Sequence, residues 1–248
     1  MFKWMLTCAL VFASLNVQAL EDPWLALQKT AYAARELNYQ GVFVYQNGDQ
    51  TRSVQITHMN NAGRELTRNV MLDGQPREVF SEGSDIVIFN AKDNKVVIEK
   101  RRGQNLFPAM LPTNLEALKF SYTAKFGPIE RIADREAQII DLVPNDHFRY
   151  SYRVWSDVEF GLLVRMTLMN HKGQAIEQIG FTQLSMLNTH DLNWFQPKID
   201  LSKQYVMEDE APITHVTNSW VVANLPPGYR KVDHIEHIAP GKNTIVNQ

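Results

Sequence analysis

The sequence predicts an α+β protein, mostly β, whose main domain is a curved antiparallel half-barrel sheet with helices on its concave face. Three observations lead to this prediction: an amphipathic helix near the start, about eleven segments with alternating apolar and polar residues, and short turns between them. Short turns can join only antiparallel neighbours. An open sheet of this size usually curls or splits, and a helix on the inner face would bury its apolar side.

The first nineteen residues predict a cleaved signal peptide. Lys3 is followed by an apolar stretch from Met5 to Leu15, and the small residues before and at Ala19 indicate cleavage after that residue. A membrane anchor is the alternative, but the apolar stretch is too short to cross ~30 Å of hydrocarbon as a helix. Cleavage would remove Cys8, the only cysteine, and so exclude disulfides and thiolate sites from the mature chain. We therefore expect a periplasmic protein.

The composition is that of an ordinary globular protein that can build a sizeable core. Of 248 residues, 44% are apolar and 21% are charged, and the formal net charge is −2. No acidic or basic tail stands out, so the charge pattern offers no sign of a nucleic-acid partner.

The clearest helix begins after Asp22, which can cap it, with Pro23 at the first helical position, where a missing N–H costs nothing. Apolar residues then recur at helical spacing and form one stripe. The stripe consists of Trp24, Leu27, Ala31, Ala34 and Leu37. Gly41 is expected to end this helix.

After the helix the apolar period changes to two, which is typical of strands. Turn signals at Asn47-Gly48-Asp49, Asp73-Gly74 and Gly83 separate roughly six strands before residue 103. A loop with two prolines and a helical piece from Asn114 to Leu118 interrupts the pattern. Five further strands follow, and the first of their turns is expected at Asp134-Arg135.

These patterns predict four parts of the chain. Residues 1–19 are the signal peptide and residues 20–187 the half-barrel domain. The polar stretch 188–210 is a linker or surface arm. Residues 211–248 are the start of a small β-rich domain that is incomplete, because so short a unit seldom folds alone.

The sequence offers few candidates for chemistry. Asp134, Glu136 and Asp141 could act in acid–base catalysis, but strand alternation places Glu136 and Asp141 on opposite faces, which favours a solvated hairpin. His234 and His237 could bind a metal, yet residues three apart in a strand also face opposite ways. The serine and phosphate-binding signatures of hydrolases and nucleotide enzymes are missing, so we predict no catalytic residue, metal or cofactor.

Two features indicate binding instead. Several basic residues around the hairpins could bind phosphate groups or an acidic partner, or else protect edge strands from aggregation. They are Arg64, Arg68, Arg77, Lys100, Arg101 and Arg102. In the prolyl loop, Phe107, Met110 and Leu111 could lie over the mouth of the curved sheet and contact an acyl chain. The alternative for these three is a core plug without a ligand.

Several segments resemble one known family. The stretches "LDGQPREV" and "RIADREAQIIDLVPND", the latter followed after one residue by "FRYSYRVW", together with "W-x-x-x-x-LPPGY", are similar to the RseB/MucB family of periplasmic negative regulators of sigma-E. The resemblance runs in order from about residue 22 to 235. It implies a large domain like the lipoprotein carriers LolA and LolB, followed by a smaller β-rich domain.

The resemblance also implies a function. Members bind the periplasmic part of an RseA/MucA-like anti-sigma factor, protect it from proteolysis and are released by lipid-like molecules, including lipopolysaccharide. An acyl-chain ligand is therefore expected beside the protein partner, and a lipid or lipoprotein carrier is the alternative function. The second domain here is about half as long as the family leads us to expect, and no motif identifies the residues that contact the partner.

Overall fold

The chain folds around one large β-sheet. A computed structural model describes residues 22–83, 85–90, 92, 95–100, 106–198, 206–209, 223–229, 236–238 and 245–247. Two helices are described, α1 (Pro23–Glu36) and α2 (Glu116–Ser121), together with a 3-10 turn at Leu192–Phe195. The strands are β1 Tyr39–Asn47, β2 Gln50–Asn61, β3 Arg64–Met71, β4 Glu78–Glu82, β5 Asp85–Asn90, β6 Lys95–Lys100, β7 Tyr122–Ile132, β8 Arg135–Pro144, β9 Ser151–Asp157, β10 Leu163–Met169, β11 Ala175–Met186, β12 Val206–Asp209, β13 Glu236–Ile238 and β14 Ile245–Asn247.

Twelve of these strands form the sheet in the order β12-β6-β5-β4-β3-β2-β1-β11-β10-β9-β8-β7. Strands β1 to β6 and β7 to β11 are two runs of antiparallel neighbours, and the pairing of β1 with β11 joins them. Helix α1 contacts β2 as well as β7, which lie six places apart in the sheet, because the sheet wraps around the helix. The predicted fold class is therefore confirmed.

One strand pairing departs from the predicted pattern. Strand β12 lies parallel to β6, with Val206 opposite Lys95 and Asp209 opposite Ile98. Parallel neighbours need a long connection, and more than a hundred residues separate these two strands. No local turn signal in the sequence can report such a pairing.

The start of α1 is as predicted. The side chain of Asp22 accepts a hydrogen bond from the backbone N–H of Trp24 at 2.9 Å, and Pro23 begins the helix. The apolar stripe faces the sheet, where Leu27 and Ala34 are fully buried. Desolvation of this stripe holds the helix on the sheet, since propensity alone rarely stabilises a helix of this length.

The predicted end of α1 is wrong. The helix stops at Glu36, and Gly41 lies within β1. A Cβ atom at this position would approach the carbonyl oxygen of Gln183 to 2.3 Å and the ring of Phe181 to 2.9 Å. Glycine is therefore required by the close approach of β11 and not by the end of a helix.

Two other boundaries are shifted. The helical piece predicted from Asn114 to Leu118 is α2, which runs from Glu116 to Ser121. The turn predicted at Asp134-Arg135 comes one residue earlier, at Ala133-Asp134, where both residues have positive φ. Positive φ at both central residues is the conformation of a type I′ hairpin loop, and Arg135 is then the first residue of β8.

The first part of the predicted linker packs against the sheet. Phe195 is buried against Met59 and Leu66. The indole of Trp194 donates to the hydroxyl of Thr57 at 3.2 Å, and the guanidinium of Arg68 lies 4.1 Å from the Trp194 ring. Residues 192–195 thus belong to the sheet domain in packing terms, while the predicted division into domains stays a prediction.

Candidate functional site

The prolyl loop packs on the same face of the sheet as α1. Phe107 is buried, with its ring centroid 5.0 Å from that of Phe43 and 4.9 Å from that of Phe181. These distances are those of a packed aromatic cluster. These contacts place Phe107 in the core of the sheet domain, which agrees with the alternative of a core plug.

Helix α1 holds the rest of the loop through backbone carbonyls. The guanidinium of Arg35 donates to the carbonyl oxygens of Ala109 at 3.0 Å and Leu111 at 3.1 Å. The amide of Gln28 donates to the carbonyl of Thr113 at 2.7 Å. Sequence reasoning missed both residues, because a polar side chain on a helix does not indicate which distant carbonyl it will meet.

An apolar cavity of about 330 Å³ lies between this loop and the inner face of the sheet. Its walls are drawn from the loop, from α2 and from strands β7 to β11. The lining residues are Met110, Leu111, Pro112, Leu118, Tyr122, Leu142, Tyr152, Met166, Leu168, Glu177 and Ile179. Two of the three residues predicted to contact an acyl chain, Met110 and Leu111, thus line the cavity, whereas Phe107 does not.

The polar groups of the cavity are two tyrosines and one carboxylate. The rings of Tyr122 and Tyr152 are 6.0 Å apart, and Glu177 is the charged lining residue. Burial raises the pKa of Tyr122 to about 12, with a smaller contribution from Tyr152. Burial also raises the pKa of Tyr152, and the nearby Glu177 carboxylate raises it further. Both phenols are therefore neutral hydrogen-bonding groups at neutral pH.

The acids of the β7–β8 hairpin do not form a catalytic pair. Asp134 forms an exposed ion pair with Arg131. Asp141 receives two hydrogen bonds from the guanidinium of Arg153, at 2.7 and 3.1 Å. Glu136 is exposed on the same strand as Asp141. The arrangement is that of the solvated hairpin, which strand alternation favours.

Two of the basic candidates, Arg64 and Arg68, form ion pairs within the sheet. Arg64 forms an ion pair with Glu82 across β3 and β4, and Arg68 donates twice to Glu78 at 3.0 and 2.7 Å. These cross-strand pairs lie in the interior of the sheet and stabilise the contact between β3 and β4, so they do not support the edge-charge alternative. Arg77 is exposed. The side chain of Lys100, together with residues 101 and 102, lies outside the described part of the chain.

The metal hypothesis falls largely outside the described residues. His234 is not among them, and the side chain of His237 in β13 is not described. Within the described residues, no cluster of three or more histidine, cysteine, aspartate or glutamate side chains could hold a metal ion. In the same residues, no helix combines the length and the apolarity needed to span a membrane.

Comparison with known proteins identifies relatives along most of the chain. Residues 22–199 match the family model described as the MucB/RseB N-terminal domain. The sigma-E factor regulatory protein RseB of Salmonella typhimurium is 31% identical over 184 residues, which cover 73% of this chain and 58% of the relative. The sigma factor AlgU regulatory protein MucB of Pseudomonas aeruginosa is 28% identical over 163 residues, 64% of this chain and 49% of that protein. The match thus spans about half the length of these relatives.

Solved structures share the fold. The complex of Pseudomonas aeruginosa MucA and MucB matches with a TM-score of 0.70 and 24% identity, covering 92% of this chain and 75% of the matched chain. The structure of MucB by itself matches with a TM-score of 0.65, covering 88% and 72%. At this level of identity the likeness concerns the fold. Together with the family match over residues 22–199, the architecture shows that the chain belongs to the MucB/RseB family.

Proposed function

We propose that this protein is a periplasmic regulatory binding protein for an RseA/MucA-like anti-sigma factor. By covering the periplasmic segment of that factor, it would protect the segment from proteolysis and so restrain the sigma-E response. The observation that carries the proposal is family membership: the relatives are named as sigma factor regulatory proteins, and a MucB of the same fold has been solved in complex with MucA.

The apolar cavity is proposed as the site of the releasing lipid. Its volume of about 330 Å³ lies at the small end of the range of ligand pockets, which suits one acyl chain. Met110 and Leu111 supply adaptable apolar contacts from the loop side. Tyr122, Tyr152 and Glu177 supply the polar end, where a ligand headgroup would be oriented.

The proposed activity is binding without catalysis. A catalytic carboxylate needs a pocket and a shifted pKa, whereas the hairpin acids Asp134 and Asp141 are held by arginines at the surface of the sheet. The one carboxylate of the cavity, Glu177, stands among apolar residues and phenols. This donor set suits recognition of a ligand better than acid–base chemistry.

A lipid or lipoprotein carrier is the second candidate, and the apolar cavity favours it to the same degree. Native mass spectrometry of the purified chain distinguishes the two functions. A carrier should retain an acyl ligand in stoichiometric amount and pass it to an acceptor protein. A regulator should bind the ligand reversibly and change only its affinity for the anti-sigma segment.

Isothermal titration with the periplasmic segment of an RseA/MucA-like anti-sigma factor tests the regulatory function. We expect binding of the segment and a lower affinity when lipopolysaccharide is present. Met110→Gln should weaken the effect of lipopolysaccharide, because it places a polar amide in the cavity wall. Leu72→Gln is the matched control, since Leu72 is half exposed and does not line the cavity. Failure of the segment to bind would refute the proposed function.

A further inference from the structure

The segment around the LPPGY motif docks on the loop between β8 and β9. The guanidinium of Arg149 donates to the carbonyl of Pro227 at 2.8 Å and lies 4.4 Å from the centre of the Tyr229 ring. The hydroxyl of Tyr229 donates to the carbonyl of Phe148 at 3.0 Å. Residues 226–229, which we call the latch turn, thereby bind a part of the chain that lies about eighty residues earlier.

The shape of the latch turn depends on its glycine. A hydrogen bond from the Tyr229 N–H to the Pro226 carbonyl, 3.1 Å long, closes the turn, and Gly228 has a φ of 76°. A Cβ atom at Gly228 would come within 2.9 Å of the Arg149 guanidinium and 3.4 Å of the Phe120 ring. The backbone conformation therefore requires glycine, and any side chain at this position would also displace the Arg149 guanidinium.

The loop that receives the latch turn connects two strands of the cavity wall. It joins β8 and β9, whose residues Leu142 and Tyr152 line the cavity. The loop is also bound to α2, because the N–H of Asn145 donates to the carbonyl of Ser121 at 2.9 Å. Leu118 of α2 lines the same cavity. Any widening of the cavity at this end must move elements that hold the latch turn.

The electrostatics of the cavity reach the latch turn as well. Besides burial, the phenol of Tyr229 contributes to the raised pKa of both Tyr122 and Tyr152. The polar end of the cavity and the latch turn thus lie within electrostatic range of each other. A ligand headgroup placed between the two cavity phenols would therefore lie close to the latch turn.

The latch turn itself is lightly held. Pro227, Gly228 and Tyr229 are exposed, Tyr229 to 43%, so much of the surface of the turn stays in contact with water when it docks. Segments with few buried contacts open at low free-energy cost. The latch turn can therefore be displaced without unfolding the sheet.

We propose that the latch turn closes one end of the acyl cavity, so that docking of the latch turn and binding of an acyl ligand in the cavity oppose each other. The inference rests on the proposed function, in which the cavity is the lipid site. The polar end of the cavity, where the ligand headgroup is proposed to lie, includes Tyr122 and is the end next to the docked latch turn. By linkage, the ligand weakens docking as much as docking weakens the ligand. A ligand in the cavity would in this way release the latch turn and change the position of the chain that follows residue 229.

Calorimetric titration with dodecanoic acid tests the inference on the full chain. Tyr229→Ala removes the hydrogen bond to Phe148 and the stacking on Arg149, and we expect dodecanoic acid to bind on the order of 5-fold more tightly to it than to the unaltered chain. Tyr32→Ala is the matched control, because Tyr32 is a similarly exposed tyrosine on α1 that does not line the cavity. Its affinity for dodecanoic acid should be unchanged.

Hydrogen exchange supplies the reciprocal measurement. Saturation with dodecanoic acid should speed exchange of the Tyr229 amide, which donates to Pro226 in the docked latch turn. Equal affinity in Tyr229→Ala and the unaltered chain, or absence of dodecanoic acid binding in both, overturns the inference. Titration of the same samples with the anti-sigma segment separates this failure from a failure of the proposed function, which would abolish segment binding itself.

Discussion

Arg135 and Asp157 form a buried salt bridge between the first residue of β8 and the last residue of β9. The side chain of Asp157 is 2% exposed and also accepts a hydrogen bond from the N–H of Phe160 at 2.6 Å. The Arg135 guanidinium reaches Glu159 at 2.8 Å and lies 4.9 Å from the Phe160 ring. Arg135, next to the β7–β8 turn, therefore has a structural role, because it holds the β9–β10 turn in place.

Replacing Arg135 with methionine should lower the free energy of unfolding by about 3–5 kcal/mol, because it leaves the Asp157 carboxylate buried without its cation. Urea unfolding followed by circular dichroism measures the change. Arg131→Met is the matched control, since its ion pair with Asp134 is exposed and should contribute less than about 1 kcal/mol. Equal losses in the two variants would contradict a special role for the buried pair.

Replacing Arg35 with methionine should loosen the prolyl loop. The change removes the donors to the Ala109 and Leu111 carbonyls and should cost about 1–3 kcal/mol of stability. Hydrogen exchange across residues 106–115 should quicken in this variant. Lys29→Met, an exposed cation on the same helix, should leave the exchange of the loop as it was; a matching increase there would show that the effect is not specific to Arg35.

Replacing Gly41 with alanine should destabilise the junction between the two halves of the sheet. The added methyl group would overlap the Gln183 carbonyl and the Phe181 ring, and overpacking of this kind typically costs about 1–3 kcal/mol. Thermal unfolding measures the loss. Gln40→Ala changes an exposed neighbour in the same strand and should have a small effect. An unchanged melting temperature in Gly41→Ala would mean that β1 and β11 are farther apart than described.

Alkaline pH should destabilise the folded chain through Tyr122. Its pKa rises from the usual 10.0 to about 12 on folding, mainly by burial. Between these two values the unfolded chain loses the phenolic proton while the folded chain keeps it, so stability is complete below pH 10 and falls as the pH rises toward 12. Urea unfolding at a series of pH values should show a shallower decline in Tyr122→Phe. Identical slopes would mean that Tyr122 does not contribute.

Local chemistry explains why the hairpins were predictable. Asn47-Gly48-Asp49 and Asp73-Gly74 combine residues that tolerate positive φ with flanking alternation of period two, and both signals are contained within a few residues. The cap at Asp22 and the stripe of α1 are local in the same sense. Together they were enough to predict an antiparallel sheet with a helix on one face.

The residues that line the cavity could not be predicted from such local patterns. Leu142, Tyr152 and Met166 become neighbours of Met110 only because the sheet brings β8 to β10 under the prolyl loop. Neither Tyr152 nor Met166 carries a local signal that separates a cavity wall from a packed core. For the same reason Phe107, which shares its loop with Met110, could not be assigned to the core in advance.

Local patterns in the sequence were enough to predict the order of the strands, most of their turns and the helix that covers the sheet, because these features depend on contacts between near neighbours in the chain. Tertiary structure alone decided the function of Gly41, the partners of Arg35 and Arg135, and the docking of residues 226–229 on Arg149. Each of these contacts joins residues that are distant along the chain. Their energies depend on the shape and burial that the whole sheet creates, which no local pattern encodes.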